Sequence, residues 1–321
     1  MKLIRKKCYK IYASEDALVP SAIIQRMILV TGGTGFIGSA LIRNLSLLEL
    51  PVRLLLRPSK SSPNIPKGVS LEVAVSSLND ERSLRAAMQD VRIIFHLAGT
   101  ERAGSRADLN GVDISGTQVL SSIAHQSGVE RVIYLSHLGA DRASAFPVMK
   151  AKAIAEGLIQ KSGIDYTIFR SSAVFGPGDQ FTTRIADLIR LNPFFFFMPG
   201  DGGNSLQPLW IEDLVTCLTW SMEEKKTINQ VIPIGGCEYF NFRQIVEIIL
   251  AQMKKKRWIL DVPPVYLRFL NLMSEQLFHR FPISIYWLDY LAADHTTALD
   301  TLPRLFGLMP ARMSQMIGYL S

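Results

Sequence analysis

Residues 31–38 read Thr31-Gly32-Gly33-Thr34-Gly35-Phe36-Ile37-Gly38, with Gly32, Gly35 and Gly38 at G-x-x-G-x-x-G spacing. That pattern suits a pyrophosphate. Glycines let backbone N–H groups come close to the anion, and a helix that starts there adds unpaired N–H donors and a partial positive charge. Thr34, Phe36 and Ile37 lie in the same turn and count among the expected ligand contacts. The apolar run Met27–Thr31 leads straight into the turn, the context that separates a nucleotide loop from a merely structural one.

A second apolar run, Val52–Leu56, ends at Arg57, 19 residues beyond Gly38. About 20 residues past the glycines, an Asp or Glu would bind the ribose hydroxyls of NAD(H). No acid occurs from Leu50 to Leu71, a window that instead holds Arg53, Arg57, Lys60 and Lys67. A 2′-phosphate attracts such cations and repels a carboxylate. The expected cofactor is therefore NADP(H) rather than NAD(H), with Arg57 and Lys60 on the 2′-phosphate. The bland alternative is that Arg57 is a solvated strand end.

The elements that must position these residues can be read from hydropathy. Apolar runs at Met27–Thr31, Val52–Leu56, Leu71–Val75, Val91–Ala98, Arg131–Ser136 and Tyr166–Arg170 alternate with helical periodicity at Phe36–Leu48, Asp80–Gln89, Leu109–Gln126 and Pro147–Lys161. Strands alternating with helices of that length predict βαβ units and a parallel sheet. The expected class is α/β, a Rossmann-type doubly wound parallel sheet with a smaller C-terminal substrate or partner lobe. Residues 27–175 would form the nucleotide domain and residues 176–321 the smaller lobe, with a segment at about 205–235 returning to the first sheet. Phe194–Phe197 is expected to be core or a cleft wall, with membrane contact as the alternative.

The chain has 321 residues, 48% of them hydrophobic, and a net charge of +7. That apolar content excludes wholesale disorder. Residues 1–26 carry six Lys/Arg against Glu15 and Asp16, a balance of +4, so the other 295 residues carry only +3. The folded part thus lacks the basic footprint of a nucleic-acid binder, and residues 1–26 read as a basic extension. The longest stretches without a charged residue, Met27–Ile42 and Ile114–Val129, are shorter than the roughly 18 residues of a membrane span. Peripheral membrane contact stays open through the N-terminal arm or the run Lys254-Lys255-Lys256-Arg257, which could equally meet a polyanion; the blander reading of that run is a solvated helix end. Three scattered cysteines, Cys8, Cys217 and Cys237, favour a reducing, cytoplasmic setting over a disulfide framework. His125 and His279 have no metal-ligand spacing with the acids, so no metal is expected.

The glycine motif, His96-Leu97-Ala98-Gly99, Tyr134-Leu135-Ser136-His137, Phe175-Gly176-Pro177-Gly178-Asp179 and Gln207–Asp213 together resemble the short-chain dehydrogenase/reductase superfamily, in its extended and atypical, epimerase/dehydratase-like branches. The run Ser136–Asp141 is similar to the NADPH-binding accessory subunit of respiratory complex I and its bacterial relatives. The resemblance implies that Gly32, Gly35 and Gly38 hold the pyrophosphate and that Ala98 and Gly99 line the nicotinamide ribose. Ser77 stands where many relatives carry an Asp near the adenine.

Active relatives place a Tyr four residues before a Lys on one helix. Here Glu156 points to Lys152 as the Lys, which puts Val148 at the Tyr position; the other register pairs Lys150 with Phe146. Neither supplies a hydroxyl. Ser136 and His137 remain as candidate catalytic groups beside Lys152, although the relatives' hydroxyl aligns nearer Leu138. His96 is expected to be a structural hydrogen bonder at a strand end. General acid–base help is worth about 10²–10⁴-fold, so its loss favours a nucleotide-binding protein with an accessory, assembly or redox-sensing role and a protein partner. The alternative is an NADP-dependent reductase or nucleotide-sugar epimerase/dehydratase-like enzyme that uses Lys152.

Overall fold

The computed structural model describes residues 27–59, 65, 68–277 and 284–321. The basic extension 1–26, and Lys60 and Lys67 of the phosphate window, lie outside the described residues. The first six strands are β1 (Met27–Thr31), β2 (Val52–Leu56), β3 (Glu72–Val75), β4 (Val91–His96), β5 (Arg131–His137) and β6 (Asp165–Ser171). Between them run α1 (Phe36–Leu47), α2 (Glu81–Ala87), α3 (Thr117–Gln126) and α4 (Pro147–Lys161). Beyond them, β7 is Val174–Phe175, β8 Phe195–Pro199, β9 Ser205–Leu206, β10 Leu209–Trp210, β11 Gln230–Ile234, β12 Phe240–Asn241 and β13 Trp258–Val262. The later helices are α5 (Thr182–Leu191), α6 (Ile211–Trp220), α7 (Phe242–Gln252), α8 (Pro264–Leu277), α9 (Ile285–Tyr290), α10 (Thr301–Phe306) and α11 (Met313–Met316).

Seven strands form one parallel sheet in the order β11-β6-β5-β4-β1-β2-β3. The expected α/β Rossmann-type sheet is borne out. The period of two along each strand sends side chains to opposite helix layers. Ile28 and Val30 of β1 join Phe95 and Ile133 in a core with Leu41, Leu45, Leu214 and Leu218 from α1 and α6. Leu29, Ile94, Val132 and Ile168 face the other way, onto Leu120, Ala155 and Ile159 of α3 and α4. Strand segments buried on both faces must be continuously apolar, as Ile28, Leu29 and Val30 of β1 and Ile93, Ile94 and Phe95 of β4 are.

The chain builds β1, β2 and β3 outward in one direction and then returns to lay β4 on the other side of β1. That reversal is the switch point where doubly wound sheets leave a crevice at the strands' carboxyl ends. The glycine turn follows β1 and Leu97–Gly99 follows β4, so both border it.

The single helix expected over Leu109–Gln126 is two structures. Leu109–Gly116 is a π-helix that passes into α3 at Thr117. Its wider turns aim Asp113 and Thr117 inward, and both are buried; π segments are rare and concentrate at functional sites. The Phe194–Phe197 run divides. Phe196 is core and Phe197 exposed, because β8 presents alternate residues to opposite faces, while Phe194, just ahead of the strand, is exposed as well.

Candidate functional site

The glycine turn fits an anion. Gly32 has φ 71°, and a methyl group there would stand 2.5 Å from the Leu97 carbonyl oxygen. A methyl at Gly38 would strike the Gly32 carbonyl oxygen, so α1 packs on the turn with no room to spare. The Gly35 N–H closes the turn onto the Gly32 carbonyl at 3.0 Å. No side chain caps α1 at Gly35, and its first turn holds no acid. The N–H donors of Phe36 and Ile37 thus keep the aim and polarity that a diphosphate requires.

Arg57 is exposed at the carboxyl end of β2. Arg53 is not available to a ligand. Its guanidinium pairs with Glu72 at 2.8 Å and donates to the carbonyls of Ala87 and Gln89. Ser77 accepts a hydrogen bond from the Asn79 N–H in the turn after β3.

His96 ends β4 fully buried. Nδ1 lies 2.8 Å from Thr31 Oγ1 and Nε2 2.9 Å from Thr117 Oγ1. Thr117 already donates to the Asp113 carbonyl and Thr31 accepts from the Ala98 N–H. The network therefore assigns a neutral ring, with the proton on Nε2. Burial, then the nearby Lys152 charge, push its pKa down to about 3. His96 thus ties β1, β4 and α3 together beneath the crevice, the structural part expected of it.

Lys152 lies on the buried face of α4, whereas Lys150 points to solvent. The Lys152 ammonium sits 3.2 Å from Asp113 Oδ1, 3.8 Å from Glu101 Oε2 and 5.5 Å from the centre of the Tyr134 ring. Asp113 Oδ2 in turn accepts from the backbone N–H and hydroxyl of Thr100 at 3.1 and 2.6 Å. Burial opposes the lysine's charge, but Tyr134, Glu101 and Asp113 outweigh it and hold the pKa well above the ordinary value. A methyl group at Gly99 would stand 2.9 Å from the Lys152 nitrogen. Gly99 and Lys152 are therefore neighbours at the end of β4.

The other candidates separate. Ser136 is buried and its hydroxyl donates to Glu156 at 2.5 Å; Glu156 also takes both Arg170 nitrogens, the closer at 2.6 Å. That bond holds the Ser136 hydroxyl against Glu156 inside the β5–β6–α4 layer. His137 lies across from Tyr286 of α9, ring centres 5.6 Å apart. Burial pushes the His137 pKa down to about 4, with Glu101 pulling up and Lys152 pushing down, which places all three in one field. Leu138 and Val148 are buried apolar side chains.

Glu101, Asp113 and Tyr286 are the members that sequence reasoning missed. Asp113 had a signal: it is the lone acid among the apolar residues of Leu109–Gln126, four residues before inward-facing Thr117. Glu101 comes from a short 3₁₀ helix, Glu101–Arg106, and Tyr286 from a distant helix, and no local spacing links them to Lys152. Among the described residues no group of His, Cys, Asp and Glu is placed to hold a metal, and no helix is long and apolar enough to cross a membrane. A cleft of about 360 Å³, lined by Arg92, Glu130, Arg131 and Asp165, opens at the amino ends of β4–β6, away from the crevice.

Residues 32–185 match the family model described as NAD(P)H-binding. The chain is 25% identical over 253 residues to the Photosystem II assembly factor Ycf39 of Cyanophora paradoxa, covering 75% of this chain and 73% of that protein. It is 27% identical over 284 residues to Sterol demethylase protein B of Methylococcus capsulatus, covering 79% and 82%. It is 24% identical over 234 residues to the mitochondrial NADH dehydrogenase [ubiquinone] 1 alpha subcomplex subunit 9 of Arabidopsis thaliana, covering 70% of this chain and 58% of that longer protein. Among solved structures, a UDP-glucose 4-epimerase of Thermotoga maritima superposes with a TM-score of 0.70 at 19% identity, covering 92% of this chain and 97% of the other. With the switch-point crevice, the glycine turn and the buried lysine in place, the chain carries an NAD(P)H-binding domain over residues 32–185 on an epimerase-like fold.

Proposed function

We propose that the protein holds NADP(H) without ordinary turnover and acts as an accessory, assembly or redox-sensing partner of other proteins. One observation carries this reading. Lys152, the remaining member of the usual Tyr–Lys pair, is buried in an ion pair with Asp113 and flanked by Glu101, and four residues earlier Val148 is a buried aliphatic side chain. A lysine so neutralised can clamp a ribose hydroxyl. It has no phenol beside it on the helix to move a proton. The names of two relatives, an assembly factor and a subunit of a respiratory dehydrogenase, support a protein partner.

In this reading the diphosphate rests on the Gly32–Gly38 turn and the α1 N-terminus, and Ala98, Gly99 and Lys152 border the nicotinamide ribose. Arg57, exposed at the end of β2 in a window free of acids up to Glu72, favours the 2′-phosphate of NADP(H). The setting is cytoplasmic, at the periphery of a membrane. Calorimetric titration tests the cofactor assignment: NADPH should bind about ten-fold or more tightly than NADH, one charge-assisted contact being worth roughly 1.5–3 kcal/mol. Equal affinities would overturn it.

A second reading has an observation of its own. His137 and Tyr286 face one another beside Glu101 and Lys152, so a phenol from α9 could stand in for the one missing from α4. Tyr286→Phe would then abolish any hydride transfer while leaving nucleotide affinity unchanged.

A further inference from the structure

Over its described side chains, residues 264–273, helix α8 is inside out. Toward the protein it turns Asn271, which is buried, and Arg268, which pairs with Asp289 of α9. Toward solvent it turns Val265, Tyr266, Phe269, Leu270, Leu272 and Met273, each between 42% and 72% exposed. A surface helix ordinarily does the reverse. The exposed stripe runs about 12 Å along the axis at 1.5 Å per residue.

The ribbon leading into that helix has the same character. In the parallel β8–β13 pair, Trp258 is in register with Phe195 and Leu260 with Phe197. Phe196 and Met198 fill the core from one face, while Phe197, Trp258 and Leu260, with Phe194 just ahead of β8, are exposed on the other. The ribbon is firmly mounted, since Arg257 donates to the carbonyls of Ile189 and Asn192. Its exposed acid, Asp261, is paired with Arg243. Lys254, Lys255 and Lys256, all exposed, form the turn immediately before it.

We infer that the β8–β13 ribbon, helix α8 and the Lys254–Lys256 turn form a membrane-docking surface that lies on an anionic lipid bilayer. Charge and shape select this occupant. A protein interface core is depleted in Lys and needs a complementary partner surface. An interfacial helix needs only an apolar face with Trp or Phe at headgroup level and cations near the lipid phosphates. Cation attraction brings the surface to the bilayer and apolar burial retains it. This names the contact for the peripheral setting proposed above and does not depend on the nucleotide assignment.

Flotation of the full chain with vesicles tests it, using phosphatidylcholine alone and phosphatidylcholine containing phosphatidylserine. Wild type should float with the anionic vesicles and much less with the zwitterionic ones, with Trp258 emission shifting to the blue. Phe269→Ser with Leu270→Ser, both exposed, should cut binding to anionic vesicles about ten-fold or more. Lys254→Glu with Lys255→Glu and Lys256→Glu should remove its salt dependence and lower it by about a hundred-fold. NADPH affinity should stay unchanged in both, which separates failure of this surface from failure of the nucleotide reading. Absence of flotation, or flotation insensitive to both variants, would overturn the proposal. So would a concentration-dependent dimer that Phe269→Ser dissolves in a protein that ignores vesicles.

Discussion

Replacing Asp113 by Asn removes one charge and almost no volume, and it acts at the centre of the site. The carboxylate is 1% exposed and the Lys152 ammonium 3%, with 3.2 Å between them. At an effective dielectric of about 20, that separation corresponds to ~5 kcal/mol of attraction. Breaking a buried pair by removing one partner costs about 3–5 kcal/mol. Glu101 stays at 3.8 Å and is partly exposed, so the lower end, about 3 kcal/mol, is expected. With an unfolding entropy of ~2.1 cal/mol/K per residue, a chain of 321 residues should then lose about 4–5 °C in Tm. The sharper assay is the double-mutant cycle with Lys152→Met. Each single variant leaves a buried charge facing a missing partner, whereas the double leaves neither. It should therefore be more stable than the sum of the singles by at least ~1.5 kcal/mol. Additivity within about 0.5 kcal/mol in denaturant titrations would refute the pairing.

Arg57→Ala should narrow the preference for NADPH over NADH about ten-fold while leaving NADH affinity unchanged, as read by calorimetric titration. Gly38→Ala should abolish nucleotide binding and lower Tm, because its methyl would strike the Gly32 carbonyl; equilibrium binding of NADPH checks this. Stability should fall as pH drops below about 6.5. His96 and His137, pushed down to about 3 and about 4, stay neutral in the fold while an unfolded chain takes up protons. Each contributes about 1.4 kcal/mol per pH unit between the unfolded and folded values, and His96→Asn should flatten the slope of Tm against pH. Val148→Tyr alone should restore little turnover, because Leu138 still offers no hydroxyl and such groups act as a unit.

The nucleotide half of the site was legible because its signals are local. The glycine spacing, the strand before it and the helix after it occupy a dozen consecutive residues, and the sheet follows from apolar runs that need no tertiary information. The lysine half was not. The sequence places Lys152 on a helix, but its counter-charges come from a π-helix 39 residues earlier and a short 3₁₀ helix before that. The π segment Leu109–Gly116 is under two turns long, too short to show its wider period, so Leu109–Gln126 reads as one α-helix and the aim of Asp113 is lost. The environment of Ser136 was equally hidden. Its neighbours Tyr134 and His137 match a motif, yet the alternation of β5 turns its hydroxyl toward Glu156, a partner 20 residues away. The inverted face of α8 was hidden for a related reason: periodicity shows that a helix has an apolar stripe but not which way the stripe points.

The central claim is nucleotide binding without turnover, and single-turnover transfer from bound [4-²H]NADPH tests it most directly. Protein saturated with the labelled nucleotide is mixed with a panel of ketones, aldehydes and nucleotide sugars, and deuterium is followed into each by mass spectrometry. The nucleotide should remain bound and fully labelled. Deuterium appearing in any panel member at an ordinary enzymatic rate, on the order of 1–10³ per second, would contradict the claim and make the Lys152 cluster an active site.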